Sequence, residues 1–560
     1  GATVRLVAPL LAGKHDDPGV VCVDEARRWA VALVGGHGGG ANALAERVAA
    51  TLGSTAVVTT ASDAAGALAL DDFGADVGLR REPGGDVAGV GVAVLSGQPV
   101  ELRTDEVWPL PPLPANVRPG PPAAAVEDRP PAASVGRGWP LIAVTDRASD
   151  PIAGSDRVTI QPSVLYGERT DPGVSRAGPT VVYRPPSLVV GIGASRGAPA
   201  QEIDDLVDAA LAAADLSPLS VRHVATADIK RDEPGIIAVS RRRGLPLVTY
   251  PAAALAAVEV PNPSEVVRAA VGTPSVAEAA ALLGPDGHPA PGAHLVVAKT
   301  VGAHATVAVA RHRPRGRLAL VGLGPGARDL LTPRAAAELA RASIVIGLDQ
   351  YLVAVRDLLR PGTTILPSGL GDEEARAHSA VDHARAGHAV ALVGSGDAGV
   401  YAMASPALEY ADGSFDVVGV PGITAALASA ALLGAPLGHD HALISLSDLH
   451  TPWEAIERRV RAVADADLVV AFYNPRSRTR TWQLPRSLEL LGEQRKADCP
   501  VGIVRDAFRP AQQVTITSLG SLDEETLASL VTMTTTVVVG NSHTRVVAGR
   551  MVTPRGYRWA

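Results

Sequence analysis

The run Leu318-Ala319-Leu320-Val321, followed by Gly322-Leu323-Gly324-Pro325-Gly326, decides how the C-terminal part of this chain is read. Four apolar residues make a short buried strand, and the glycines behind them permit a tight turn and close approach of backbone to a ligand. The turn is not a dinucleotide fingerprint. Its third glycine comes too early for GxGxxG, and Pro325 removes an amide that would face a phosphate. No GK[ST] follows, which excludes a nucleotide-triphosphate loop. A helix then opens with Thr332 as its cap and Pro333 at its first position. Strand, glycine turn and helix make one unit of an α/β fold with a mainly parallel sheet.

The same order recurs downstream. Strand-like runs stand at 389–393, 416–420, 468–472, 501–504, 514–517 and 535–539. The first leads into Gly394-Ser395-Gly396-Asp397-Ala398-Gly399-Val400-Tyr401, the second into Pro421-Gly422-Ile423-Thr424-Ala425. Three such loops at strand carboxyl ends would line one sheet edge, where α/β folds bind ligands. A lone loop aspartate such as Asp397 also serves as a helix cap. With three glycines around it, backbone and carboxylate can both meet a polar ligand.

Upstream, 31–34 (Val-Ala-Leu-Val) enters the glycine-rich stretch Gly35–Asn42, with a helix expected at about 43–52. Prolines crowd 104–140 without helical or strand periodicity, which reads as an extended connector. Further breaks fall at Tyr183-Arg184-Pro185-Pro186 and between Arg311 and Arg317. They give segments of 1–105, 106–185, 186–313 and 317–560.

Composition narrows the function. The chain has 560 residues, 47% of them hydrophobic and 19% charged, enough apolar material for several cores. A net charge of −7 argues against a nucleic-acid partner. No stretch of eighteen apolar residues is present to span a membrane. The two cysteines, Cys22 and Cys499, are far apart, so neither a disulfide scaffold nor a Cys-based metal site is expected, and a reducing cytoplasm fits. Four lysines stand against 47 arginines. Codon bias accounts for such a ratio, and arginine forks also suit a ligand with several carboxylates.

Residues 317–560 resemble the tetrapyrrole methylases, and within them the precorrin-3B C17-methyltransferases of cobalamin biosynthesis. Besides the three glycine loops, the resemblance rests on Gly434-Ala435-Pro436-Leu437, His439-Asp440, Ile444-Ser445-Leu446-Ser447-Asp448 and Thr451-Pro452-Trp453. It continues through Phe472-Tyr473-Asn474-Pro475-Arg476-Ser477, Gly540-Asn541-Ser542-His543-Thr544-Arg545 and Thr553-Pro554-Arg555-Gly556-Tyr557. The resemblance implies a class III, two-subdomain αβα fold divided into 317–438 and 439–560, preceded by smaller α/β domains. It also implies S-adenosyl-L-methionine as methyl donor, a precorrin as substrate and a homodimer.

Methyl transfer from a sulfonium asks for alignment more than acid–base chemistry. By motif, the cofactor contacts carry over to Gly322, Gly324, Pro325, Gly326, Ser395, Gly396, Asp397, Val400, Thr424, Ala425, Tyr473, Asn474 and Ala507. The family reaction also contracts the macrocycle, which needs a proton taken from a hydroxyl. Asp448, His439 and His543 are the candidates. Arg476, Arg478, Arg480, Arg505, Arg509 and Arg545 would form a cationic rim for carboxylate arms.

Residues 1–313 resemble the cobalt-precorrin-5A hydrolases, on stretches that include Gly36-His37-Gly38-Gly39-Gly40-Ala41-Asn42, Asp228-Ile229-Lys230-Arg231-Asp232-Glu233 and Val260-Pro261-Asn262-Pro263-Ser264. That family has one further strand–helix unit before the residue numbered 1 here. It also has a cysteine and a second basic residue near Gly193-Ala194-Ser195-Arg196-Gly197. The implied chemistry is lactone opening with release of a two-carbon aldehyde, with His37 and Asn42 to polarise the lactone or orient water. Lys299 would pair with a substrate carboxylate, and Glu25 or Asp232 would act as base. A noncatalytic tetrapyrrole-binding module is the competing expectation.

Overall fold

The computed structural model describes residues 2–11, 17–36, 40–58, 68, 70–71, 73–120, 139–149 and 178–557. The chain divides into two units, one of residues 1–316 with 386–388 and one holding the remainder from 317 onward.

In the first unit a small sheet pairs Trp29–Val34 antiparallel with Val20–Val23 and parallel with Thr55–Val57. The helix Ala41–Leu52 makes the crossover, starting one residue after Gly40, whose φ of 77° only glycine adopts freely. His37, Gly38 and Gly39 lie outside the described residues. A second sheet orders Arg80–Arg81, Thr180–Arg184, Leu141–Val144, Val100–Thr104 and Val117–Pro119. It crosses the break expected at 105, because Val100–Thr104 pairs with Val117–Pro119 inside the proline-rich stretch and with Leu141–Val144 beyond it. Short β-branched runs there found sheet partners beyond the local breakers.

A third sheet orders Leu247–Tyr250, Val221–Ala227, Leu188–Ala194, Ala305–Arg311 and His294–Val301. The first three strands are parallel and the last two close as an antiparallel hairpin. Helix Ala277–Leu282 presses onto this sheet so closely that a Cβ on Gly191 would lie 1.9 Å from the Ala277 carbonyl oxygen. The fully buried Glu278 carboxylate accepts from the Asn262 side-chain amide (2.8 Å), the Asn262 backbone (3.2 Å) and Lys299 N–H (3.1 Å).

Two histidines are buried at the other end of this sheet, around Arg222. The guanidinium donates to His223 Nδ1 (3.4 Å) and contacts His312 Nδ1 (3.1 Å), while His312 Nε2 reaches the Ala281 carbonyl (2.7 Å). Burial, reinforced by Arg222, pushes the His223 pKa down to about 3 and that of His312 down to about 4. Both are neutral when folded and protonate once unfolded below about pH 6.5. Their contribution is therefore complete above that pH and is lost on acidification toward pH 4 and 3. Each is expected to cost up to about 1.4 kcal/mol per pH unit in that window. A urea midpoint that falls between pH 7 and 5 in the native chain, and falls less in His312→Gln, checks this.

The second unit opens with a five-stranded, all-parallel sheet ordered Thr364–Ser368, Ile344–Leu348, Ala389–Gly394, Arg317–Gly322 and Asp416–Val420. Pro367 sits in the edge strand, where a missing N–H is tolerated. Thr332 caps helix Pro333–Arg341 through Ala335 N–H (3.2 Å), as the sequence predicts. The second half is a sheet ordered His441–Ser445, Val469–Tyr473, Thr535–Val539, Pro500–Arg505 and Gln513–Ser518. Its first pair is parallel and the others antiparallel, so His441–Ser445, Val469–Tyr473 and Pro500–Arg505 all end at one edge.

Candidate active site

Three neighbouring strands of the parallel sheet, Ala389–Gly394, Arg317–Gly322 and the edge strand Asp416–Val420, bring their carboxyl-end loops together. Gly324 and Gly396 exchange backbone hydrogen bonds of 3.0 and 2.8 Å. Asp397 ties the second loop to the third: one oxygen accepts from Gly399 N–H (2.8 Å), the other from Gly422 N–H (3.0 Å). Both oxygens of Asp397 are thus engaged by backbone, so the cleft receives the loop it shapes rather than a bare carboxylate. Gly322 and Gly422 are glycines for packing, since a Cβ on either would strike the backbone of the adjoining loops.

The carboxyl edge of the second sheet faces these loops. Arg509 reaches across, donating from Nε to the Pro325 carbonyl (2.7 Å) and from Nη2 to Ser395 Oγ (3.3 Å). The Tyr473 hydroxyl bonds Thr424 Oγ1 (2.6 Å) and accepts from Ala426 N–H (2.9 Å). Burial pushes the Tyr473 phenol up, keeping it a neutral donor. The ring of Tyr401 lies 5.1 Å from that of Tyr473, and its hydroxyl donates to the Leu443 carbonyl (2.8 Å). Four non-glycine residues on this rim, Tyr401, Asn474, Asp506 and Phe508, adopt φ between 49° and 57°. Such left-handed conformations cluster where surrounding structure enforces a shape for function.

Tyr473→Phe is expected to leave Ala426 N–H and the Thr424 hydroxyl without their partner. The cost is about 1–3 kcal/mol of stability. A lowered melting midpoint checks it.

Beside this lies a polar group at the ends of His441–Ser445 and Val469–Tyr473. Asn474 Nδ2 donates to Ser445 Oγ (3.0 Å), Arg480 donates to the Asn474 carbonyl (3.1 and 3.3 Å), and Gln483 Nε2 donates to Asp448 (2.9 Å). Arg476 and Arg478 stand in the same loop with no hydrogen bond or ion pair among the described residues, whereas Arg505 is 4.0 Å from Asp506. Ala507 packs half-buried on the same core cluster as Tyr473.

The structure therefore brings together Pro325, Ser395–Val400, Thr424, Ala425, Tyr473, Asn474, Ala507 and Asp448. It does not bring His439, His543 or Arg545 to this edge. Thr535–Val539 runs antiparallel, so the Asn541–Thr544 turn emerges at the opposite edge, where Ser542 bonds Asp467 at the start of Val469–Tyr473. His439 precedes His441–Ser445 at that same far edge, and Arg545 belongs to a small sheet with Arg550–Val552 and Gly434–Ala435. Sequence reasoning missed Tyr401, Asp506 and Phe508, whose backbone conformation has no residue-type signal, and Gln483, which reads as a helix start.

Residues 317–523 match the family model described as tetrapyrrole (corrin/porphyrin) methylases. A probable cobalt-factor III C(17)-methyltransferase of Salmonella typhimurium is 44% identical over 243 residues, 43% of this chain and 99% of that protein. The chain belongs to the tetrapyrrole methylase family. A second methylase relative, a precorrin-3B C(17)-methyltransferase of Sinorhizobium sp, is 41% identical over 256 residues, 44% of this chain and 98% of that protein. A crystal structure of the methyltransferase CobJ is 39% identical, covering 43% of this chain and all of its own, with a TM-score of 0.41. Ahead of the methylase part, residues 1–63 match the model described as cobalamin synthesis G N-terminal, and 188–310 the one described as cobalamin synthesis G C-terminus.

In the first unit, Asn42 is buried at the start of helix Ala41–Leu52, its backbone N–H on the Gly36 carbonyl. Lys299 Nζ donates to the Asn262 carbonyl (2.6 Å). In the Gly193–Gly197 loop, Ser195 Oγ donates to the His304 carbonyl (3.1 Å), and Gly197 N–H to Glu233 (2.7 Å).

Proposed function

We propose that residues 317–557 transfer a methyl group from S-adenosylmethionine to C17 of a precorrin-3B-type tetrapyrrole and contract its ring, within cobalamin biosynthesis. The observation that carries this reading is the pair of facing carboxyl edges, lined by backbone and hydroxyls, in a segment alike along its whole length to C17-methyltransferases. A neutral, backbone-rich lining fits the methyl donor, which needs its methyl carbon aligned at about 3–3.5 Å from the nucleophile. When bound, S-adenosylmethionine supplies that electrophilic methyl carbon. The Pro325–Gly326 turn, Ser395 to Val400, Thr424, Ala425, the Tyr473–Asn474 strand end and Ala507 would hold it. Arg509 keeps the first two loops in register from across the cleft. Asp448 takes the hydroxyl proton in ring contraction, and Arg476, Arg478 and Arg505 receive carboxylate arms of the substrate. The enzyme works in the cytoplasm as a homodimer.

For the first unit two readings stand, lactone opening and tetrapyrrole binding without chemistry. Binding is favoured by how its buried carboxylates are used. Asp146 is held by Arg311 (2.7 Å twice) and Ser187 (2.6 Å), Glu233 by Gly197 and Lys230, and Glu278 by Asn262 and Lys299. All six oxygens already accept from protein donors.

The test is the product mass after the full chain meets precorrin-3B and S-adenosylmethionine. A gain of one methylene with a spectral change supports the reading, and turnover of only the cobalt-containing analogue moves it to that substrate. No gain with either overturns it. Acetaldehyde released by the full chain from cobalt-precorrin-5A would reject the binding-only view of the first unit.

A further inference from the structure

Gln483 is only 3% exposed, and its two amide atoms are treated differently. Nε2 donates to Asp448 Oδ2 at 2.9 Å. Oε1 is buried and finds no donor among the described residues. Most buried side-chain polar atoms are paired, so an orphaned carbonyl beside a candidate base asks for a reason. A residue that merely tethered the carboxylate could be a lysine or an arginine, with no acceptor left over. An amide differs from both in carrying a donor and an acceptor on one planar group.

Asp448 needs both. As a base it starts as a carboxylate, which accepts only. In the proton transfer the substrate O–H bond breaks, its electron pair stays on the substrate oxygen, and the proton goes to Asp448, which becomes a carboxylic acid with a proton to donate. We propose that Gln483 is a positioning residue for this step. Its amide holds Asp448 through Nε2 as the carboxylate and, turned over, through Oε1 as the acid. The inference rests on the reading of Asp448 as the ring-contraction base. Gln483 opens helix Gln483–Gly492, where its backbone is fixed by Ser487 Oγ on its carbonyl (2.8 Å), so the exchange between the two states asks only for a turn of the amide.

The other charges around Asp448 are accounted for. Arg480, from the preceding loop, acts on it through space and bonds the Asn474 carbonyl and Ser447. His450 is exposed on the same loop. From helix Trp453–Asp465, Glu457 is held by Arg461 and Trp453, and from the Gln483 helix, Arg486 pairs with Glu489.

The experiment counts methyl incorporation from labelled S-adenosylmethionine separately from the spectral change of ring contraction, across pH, in the full chain. The bond to the ionised form is the stronger of the two, so the amide on balance favours ionisation. Gln483→Met is therefore expected to move the acid limb of contraction up by about one pH unit, the margin of a charge-assisted over a neutral hydrogen bond. Contraction at neutral pH slows about tenfold, while methyl incorporation stays within about twofold. Gln483→Glu keeps the shape, so it carries the test if the methionine variant does not fold, and its second carboxylate moves the limb further in the same direction. An unmoved limb in either variant, or an equal loss of methylation and contraction, overturns the inference. Asp448→Asn that contracts the ring at the native rate overturns the base reading itself, and so tells the two failures apart.

Discussion

Gly422→Ala is expected to destabilise the methylase part by more than about 3 kcal/mol, at the severe end of single substitutions. The new Cβ would lie 2.1 Å from the Gly396 carbonyl oxygen and 2.8 Å from both the carbonyl carbon and oxygen of Gly322. All three atoms are backbone, at the point where the three cleft loops interlock, so no side chain can rotate aside. For relief the Asp397–Gly422 tie (3.0 Å) or the Gly324–Gly396 pair must open, and the cofactor edge opens with it. A melting midpoint lower by about 10 °C and loss of S-adenosylmethionine binding would bear this out. Gly419→Ala is the control: it lies in the strand that leads into this loop, with nothing within 4 Å of its Cβ. A midpoint for Gly422→Ala within a degree of that control would show that the loops can part at little cost.

Asp448→Asn is expected to slow ring contraction by about 10²–10⁴, the usual worth of a positioned general base. The amide keeps the size of the carboxylate and its contact with Gln483, so fold and cofactor binding should hold. Asp448 is exposed at the carboxyl edge next to the Tyr473–Asn474 strand end, within reach of a bound macrocycle, whereas His439 and His543 stand at the other edge of the sheet. His439→Ala and His543→Ala are accordingly expected to leave contraction within about twofold of native. Rapid-mixing absorbance at saturating donor measures all three. Native-like contraction in Asp448→Asn would transfer the proton to another acceptor.

Much of the second unit was legible because its punctuation is local. Runs expected at 389–393, 416–420 and 535–539 became Ala389–Gly394, Asp416–Val420 and Thr535–Val539, and each glycine-bearing loop sits where its strand ends. Ile344–Leu348 and Thr364–Ser368 were missed, since Gly347 and Pro367 interrupt runs whose partners lie elsewhere in the chain. The three glycine loops that meet at the sheet edge were found by the same logic. The two histidines were misjudged because sequence order says nothing about strand direction: one antiparallel strand carries His543 to the far edge. Position 105 failed as a break for a related reason, as both strand partners of Val100–Thr104, Val117–Pro119 and Leu141–Val144, lie beyond it. Gln483 was invisible because its significance lies in what its carbonyl lacks.

The left-handed backbone at Tyr401, Asn474, Asp506 and Phe508 has a consequence for anyone who evolves this enzyme in the laboratory. Each such residue holds a conformation costing on the order of 1–3 kcal/mol, which glycine would relieve. Selection for heat resistance would thus find its easiest gains at these rim positions, and would spend them by blunting the cleft. Heat-hardened descendants should be screened for turnover from the first round, because their robustness and their chemistry draw on the same few residues.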